Sequence, residues 1–146
     1  MSERKSKPLK RLSPREVEQN NAIRVLYVED AEVIRDTVSR LLELHGYKVS
    51  YAKNGKEGVE MAQRWNPDVI LMDLRMPVMD GCKAIEAIKQ NLHTQHIPIL
   101  VLSAWSSRRE RTQAKLAGAD GFFMKPPDLN KLIEAIEEAV AASGRR

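Results

Sequence analysis

From residue 23 onward, apolar runs of four to six residues alternate with longer stretches in which apolar side chains recur every three or four positions. The runs at 23–28, 48–52, 69–72, 99–102 and 121–124 have the length of buried strands. Between them the spacing predicts helices over about 32–45, 56–65, 81–91 and 107–117, with a last helix opening at Asp128. Ile34, Val38, Leu41 and Leu42 form the apolar stripe of the first helix, and Gly46 supplies a left-handed stop. Leu129, Leu132, Ile133, Ile136 and Val140 form that of the last. Five strands and five helices in strict alternation predict an α/β fold: an open, doubly wound parallel sheet with right-handed crossovers and helices on both faces. Residues 1–21 lack this periodicity, contain Pro8 and Pro14, and read as a tail. Within them Ser13-Pro14-Arg15-Glu16 has the form of a helix start.

Composition narrows the class. The chain has 146 residues, 42% hydrophobic and 30% charged, which suits one ordinary globular domain over 22–142, with 143–146 as a short C-terminal tail. No apolar run approaches the roughly 18 residues of a membrane span, and the basic N-terminus has no apolar segment behind it, so a secretory signal is not expected. The one cysteine, Cys82, has no internal partner, which fits a reducing cytoplasm. The net charge of +4 belongs to the ends. Residues 1–22 contribute +3 and Arg145 with Arg146 add +2, leaving 23–144 at −1. A solvated tail is the simpler reading of the basic arm; contact with nucleic acid or an acidic membrane is the alternative.

Polar groups stand directly after the buried strands: Glu29-Asp30 after the first, Asp73 after the third, Ser103 after the fourth and Lys125 after the fifth. Open α/β sheets bind ligands outside the carboxyl ends of their strands, at the switch in strand order. In the order 2-1-3-4-5 the first and third strands are neighbours, about 4.8 Å apart. Glu29, Asp30 and Asp73 then converge, and three ionised carboxylates in one small volume need a compensating cation. Hard oxygen donors of this kind suit Mg²⁺. With Mg²⁺ and Lys125 the site is near neutral, so an incoming phosphoryl group meets cations rather than repulsion. Asp73, at the centre, is the best nucleophile for an aspartyl phosphate, and Ser103 has a hydroxyl to donate to a phosphoryl oxygen.

Each residue alone has a plainer explanation. An acidic pair after a strand is often a helix cap, Lys125 alone would be a surface lysine, and Ser103 alone would cap the next helix. Their joint placement at four strand ends makes that account poor. A nucleotide-dependent dehydrogenase is disfavoured because Glu29-Asp30 occupies the turn where a glycine-rich phosphate loop belongs. An Mg²⁺ phosphohydrolase usually needs a second acid two residues after its aspartate nucleophile, and Arg75 stands there. A binding scaffold that had lost phosphoryl chemistry would lack an acceptor, lysine or hydroxyl, and all three are present.

The segments VLYVED, VILMDLRMPVMDG, ILVLSA and FFMKP, in that order over about residues 23–142, resemble the response-regulator receiver family, the CheY-like superfamily. The resemblance implies a flavodoxin-like (βα)5 fold and a response regulator of a two-component phosphorelay. Asp73 would accept a phosphoryl group from a histidine kinase or histidine phosphotransfer protein. Asp30, Asp73 and the backbone carbonyl of Arg75 would bind Mg²⁺ directly, and Glu29 through water. Lys125 would pair with the phosphoryl group, Ser103 would follow it, and Phe122 would be the aromatic switch. The Lys125–Pro126 bond would be cis, a state otherwise found in about 5–6% of such bonds. The chain would turn over no external substrate beyond its own phosphoryl transfer and dephosphorylation. Glu29 departs from the more usual aspartate, and Phe122 lacks a tyrosine's hydroxyl. Arg75 and Trp105, each two residues after a site residue, are expected to hinder the attacking water and lengthen the phosphoryl lifetime; Trp105 packing at the site's edge or at a partner is the alternative.

Activation in such receivers remodels the face made by the fourth helix, fifth strand and fifth helix. Here the fourth helix carries Arg108, Arg109, Arg111 and Lys115, which suit a docking surface for an acidic partner or a dimer mate, or else a solvated face. About four residues follow the last helix, too few for a DNA-binding module, so signalling through protein contacts or onward phosphoryl transfer is expected. A piece of a longer regulator is the alternative.

Overall fold

The computed structural model describes residues 22–104 and 107–144. Ten elements alternate: β1 (Arg24–Val28), α1 (Glu32–Leu44), β2 (Lys48–Ala52), α2 (Gly55–Trp65), β3 (Val69–Met72), α3 (Gly81–Gln90), β4 (Ile99–Ser103), α4 (Arg108–Ala117), β5 (Gly121–Met124) and α5 (Leu129–Ala142). The strands form one parallel sheet in the order β2-β1-β3-β4-β5, as expected.

The apolar runs are continuous because both faces of the sheet are covered. Leu26 and Val28 on β1, Ile70 and Met72 on β3, and Ile99 and Val101 on β4 share a core with Ala62, Ala84, Ile85, Ile88 and Ala114 from α2, α3 and α4. The alternate residues Val25, Tyr27, Val69, Leu71, Leu100 and Leu102 pack on the other side with Val38 and Leu42 of α1 and Leu132, Ile136 and Val140 of α5. Each fully buried aliphatic side chain contributes about 1.5–3 kcal/mol.

Local signals set the helix ends. Asn54, Asp80, Ser107 and Asp128 each accept a hydrogen bond from the backbone N–H three residues on, and Ser107 forms a capping box with Glu110. The left-handed residues Asn66 (φ 50°) and Gly46 (φ 93°) follow α2 and α1. In α1 the expected stripe is revised. Ile34 and Leu41 are 38% exposed, and the buried row is Arg35, Val38 and Leu42. Arg35 holds a core-facing position because it stacks on the Tyr51 ring (4.2 Å) and donates to the Glu29 carbonyl (3.2 Å). The Lys125–Pro126 peptide is cis. Residues 1–21, 145–146 and Trp105, with the readings attached to them, lie outside the described residues.

Candidate functional site

Register brings the strand ends together. Val28 of β1 lies opposite Met72 of β3, so the next residues, Glu29 and Asp73, emerge side by side. The Asp73 N–H donates to the Val28 carbonyl (3.0 Å), and the Glu29 N–H donates to Ala52 (3.0 Å). On the other flank Ser103 lies opposite Met124, and the Lys125 N–H donates to the Ser103 carbonyl (3.0 Å). Gly81 opens α3 directly against the acceptor strand; a Cβ there would lie 2.2 Å from the Asp73 carbonyl oxygen and 2.7 Å from the Leu74 Cα. Only glycine permits that approach.

Glu29, Asp30 and Asp73 each present a carboxylate oxygen within 4.8 Å of the others. Glu29 and Asp73 are buried, and Asp30 is exposed at the mouth. The Lys125 side chain is 8% exposed, its ammonium donating to Glu29 Oε1 and lying 3.7 Å from Asp73 Oδ2. Glu29 is held further by the Tyr27 hydroxyl on Oε1 (3.3 Å) and the Ala31 N–H on Oε2 (3.1 Å). Neither Glu29 nor Asp30 makes a side-chain cap for α1, whose N-cap is Ala31. The cap of α4 is Ser107 and not Ser103. The plain capping explanations therefore fail for both strand ends.

Three carboxylates against one ammonium leave the cluster negative. Burial, and then the Glu29 carboxylate, raise the Asp73 pKa from 3.8 to about 6. Lys125 and a hydrogen bond from the Arg75 N–H oppose the rise, while Asp30 adds to it. Burial and the Glu29 carboxylate push the Tyr27 phenol far above its ordinary range, so it remains a donor. An all-oxygen, electron-rich cluster with excess negative charge fits a small hard divalent cation.

Ser103 is buried at the end of β4, and Phe122 is half-buried on β5, packed against the core on the α2–α4 side of the sheet. The Arg75 guanidinium is clasped by Glu110 of α4 through two hydrogen bonds (3.2 and 2.9 Å). That pairing holds the Glu110 carboxyl down at about 2. Sequence reasoning missed Tyr27, Arg35 and Glu110. Tyr27 had a signal, standing two residues before Glu29 on the same face of a strand.

Fold and site together define an aspartate-centred acidic cleft at the switch point of a doubly wound sheet. The family model of the response regulator receiver domain matches residues 25–137, and the chain belongs to that family. It is 31% identical over 118 residues to the protein PilH of Pseudomonas aeruginosa, covering 81% of this chain and 98% of that one. It is 40% identical over 119 residues to the transcriptional regulatory protein PdtaR of Mycobacterium tuberculosis, covering 81% of this chain but 57% of the relative. Among solved structures, the Vibrio cholerae chemotaxis protein CheY4 superposes with a TM-score of 0.75 at 33% identity, covering 81% of this chain and 98% of that one. The receiver domain of a Pseudomonas aeruginosa sensor histidine kinase, with a magnesium ion coordinated in its active site cleft, gives 0.77 at 29% identity, covering 82% and 98%. The protein is thus a receiver of two-component signalling, a phospho-acceptor class rather than a turnover enzyme. No helix among the described residues is long and apolar enough to cross a membrane.

Proposed function

We propose that Asp73 is the phospho-acceptor of a cytoplasmic phosphorelay, with a phosphohistidine of a histidine kinase or phosphotransfer protein as donor. The observation that carries this reading is Asp73 itself: buried, flanked by two carboxylates, and within 3.7 Å of the Lys125 ammonium. Asp30, Asp73 and the Arg75 carbonyl would hold Mg²⁺, with Glu29 acting through water; the metal supplies positive charge that draws in the phosphoryl oxygens. One Asp73 carboxylate oxygen forms the new bond to phosphorus as the P–N bond to the donor imidazole breaks, and the imidazole leaves with the electron pair. Lys125 shifts its ammonium toward a phosphoryl oxygen, and the Ser103 hydroxyl donates to another. Water later attacks the same phosphorus, and the bulk of Arg75 and Trp105, two residues after Asp73 and Ser103 in sequence, prolongs the acyl phosphate. Beyond this transfer and loss of its own phosphoryl group the chain turns over no substrate.

Recruitment of Ser103 moves the loop that leads to α4, and Phe122 follows. A groove of about 400 Å³ lined by Arg108, Arg111, Lys115 and Phe122 lies where that change would be read. Arg108, Arg109, Arg111 and Lys115 are exposed, which suits an acidic protein partner or a second copy on the α4–β5–α5 face. Unchanged partner binding after Arg108→Glu with Arg109→Glu removes that face from the reading.

The deciding experiment incubates the protein with a small acyl phosphate and Mg²⁺ and compares intact mass with Asp73→Asn. One metal-dependent phosphoryl adduct, absent from the variant, is expected. A folded, Mg²⁺-binding protein that gains no mass, or an adduct that persists in the variant, refutes the assignment.

A further inference from the structure

We propose that Tyr27 is a positioning residue for the phosphoryl site: its hydroxyl holds Glu29 in place and shares Oε1 with Lys125, so the lysine can leave without stranding a buried carboxylate. The inference rests on the reading of Asp73 as acceptor and adds a residue from the hydrophobic core to that site.

Tyr27 is fully buried, in the apolar core that also holds Val38, Leu42, Leu71, Leu102 and Leu132 on the α1–α5 side of the sheet. A phenol in such surroundings needs a hydrogen-bond partner. Strand alternation points Tyr27 and Glu29 to the same face, and the hydroxyl reaches Glu29 Oε1 at 3.3 Å. Glu29 is 1% exposed, so its carboxylate depends on protein donors: Tyr27 and Lys125 on Oε1, and the Ala31 N–H on Oε2. Lys125 also lies 3.7 Å from Asp73 Oδ2, where a phosphoryl group would draw it away. With tyrosine present, each Glu29 oxygen keeps a donor when that happens; with phenylalanine, Oε1 keeps none. The same hydroxyl fixes the orientation of a carboxylate that reaches the cation through water, so its loss should weaken metal binding by less than the 10–100-fold typical of a partner to a direct ligand. The arrangement suits glutamate in particular. Aspartate is shorter by one methylene, about 1.5 Å, which withdraws its oxygens from the phenol.

The test is a cycle of Tyr27→Phe, Glu29→Asp and the double variant, each checked for the parent's circular dichroism. Mg²⁺ affinity of the unphosphorylated proteins is read by calorimetry, and the rate of phosphorylation by a small acyl phosphate is read by intact mass. Tyr27→Phe should weaken Mg²⁺ about threefold and slow phosphorylation about threefold to tenfold. In the Glu29→Asp background the same change should do nothing further to either. Equal penalties in both backgrounds, or parent-like behaviour of Tyr27→Phe, would reduce Tyr27 to a packing residue and overturn the proposal. A parent that binds Mg²⁺ but takes no phosphoryl group refutes the acceptor reading instead, and the affinity cycle still decides the role of Tyr27.

Discussion

Asp73 is held in the folded protein against its own charge, and removing that charge should stabilise the metal-free molecule. Its pKa stands at about 6 against an ordinary 3.8. At roughly 1.4 kcal/mol per unit, ionising it at neutral pH costs the fold up to about 3 kcal/mol. Solvent at the open mouth of the cleft screens part of this, leaving about 1–2 kcal/mol. The groups facing Asp73 are Glu29 and Asp30 just after β1, Lys125 just after β5, and the Arg75 N–H beside it. A raised carboxylate pKa means that the folded state binds more protons than the unfolded chain between about pH 4 and 6. Stability is therefore lost as pH rises through that window, and the loss is complete above the folded value. Asp73→Asn keeps the shape without the charge, and Lys125 keeps Glu29 as its partner. In chelator at pH 7 the variant should be about 1–2 kcal/mol more stable. The difference should vanish near pH 4 and shrink when Mg²⁺ is added at pH 7. Urea unfolding followed by circular dichroism at pH 4, 5, 6 and 7 measures all of this. An advantage independent of pH, or none at pH 7, would refute the electrostatic reasoning.

Three further outcomes follow from the same contacts. Lys125→Met should destabilise the fold by about 3 kcal/mol, because Glu29 keeps its donors but two buried carboxylates, Glu29 and Asp73, then face each other with no cation between them, and should abolish the phosphoryl adduct; urea unfolding and intact mass check the two effects, and parent-like stability would contradict the ion pair. Gly81→Ala drives a Cβ into the Asp73 and Leu74 backbone, so a loss of about 1–3 kcal/mol with slowed phosphorylation is expected, and a neutral result would mean that α3 can pull back. Glu110→Gln loosens the clasp on Arg75 and frees the guanidinium for the phosphoryl side of the loop; the phosphorylated protein should then hold its adduct longer in a mass time course, most clearly at low salt, and an unchanged lifetime would show that Arg75 does not reach the site.

The architecture was open to sequence reasoning because its strongest signals are local. Strands buried on both faces must be apolar throughout, so β1, β3 and β4 appear as unbroken runs bounded by polar residues. Asn54, Asp80 and Asp128 announce the helix starts through side chains that bond three residues ahead. Glu29, Asp30, Asp73 and Lys125 were placed together by topology alone, since a parallel sheet brings the ends of its strands to one edge. Contacts that depend on register or side-chain reach were hidden. Arg75 and Glu110 are 35 residues apart and meet only once α4 packs beside the loop after β3. Arg35 defeated the periodicity argument because a guanidinium that stacks on one ring and bonds one carbonyl can occupy a core-facing position. Taking α1 from its apolar letters rotated the helix toward Ile34 and Leu41, which are partly exposed. Tyr27 shows the converse: it reads as one more apolar strand residue, yet its hydroxyl is the one core group that bonds a site carboxylate among the described contacts. A polar atom on a core residue two positions before a strand-end acid therefore belongs in any reading of such a site, because the pleat directs both side chains to the same place.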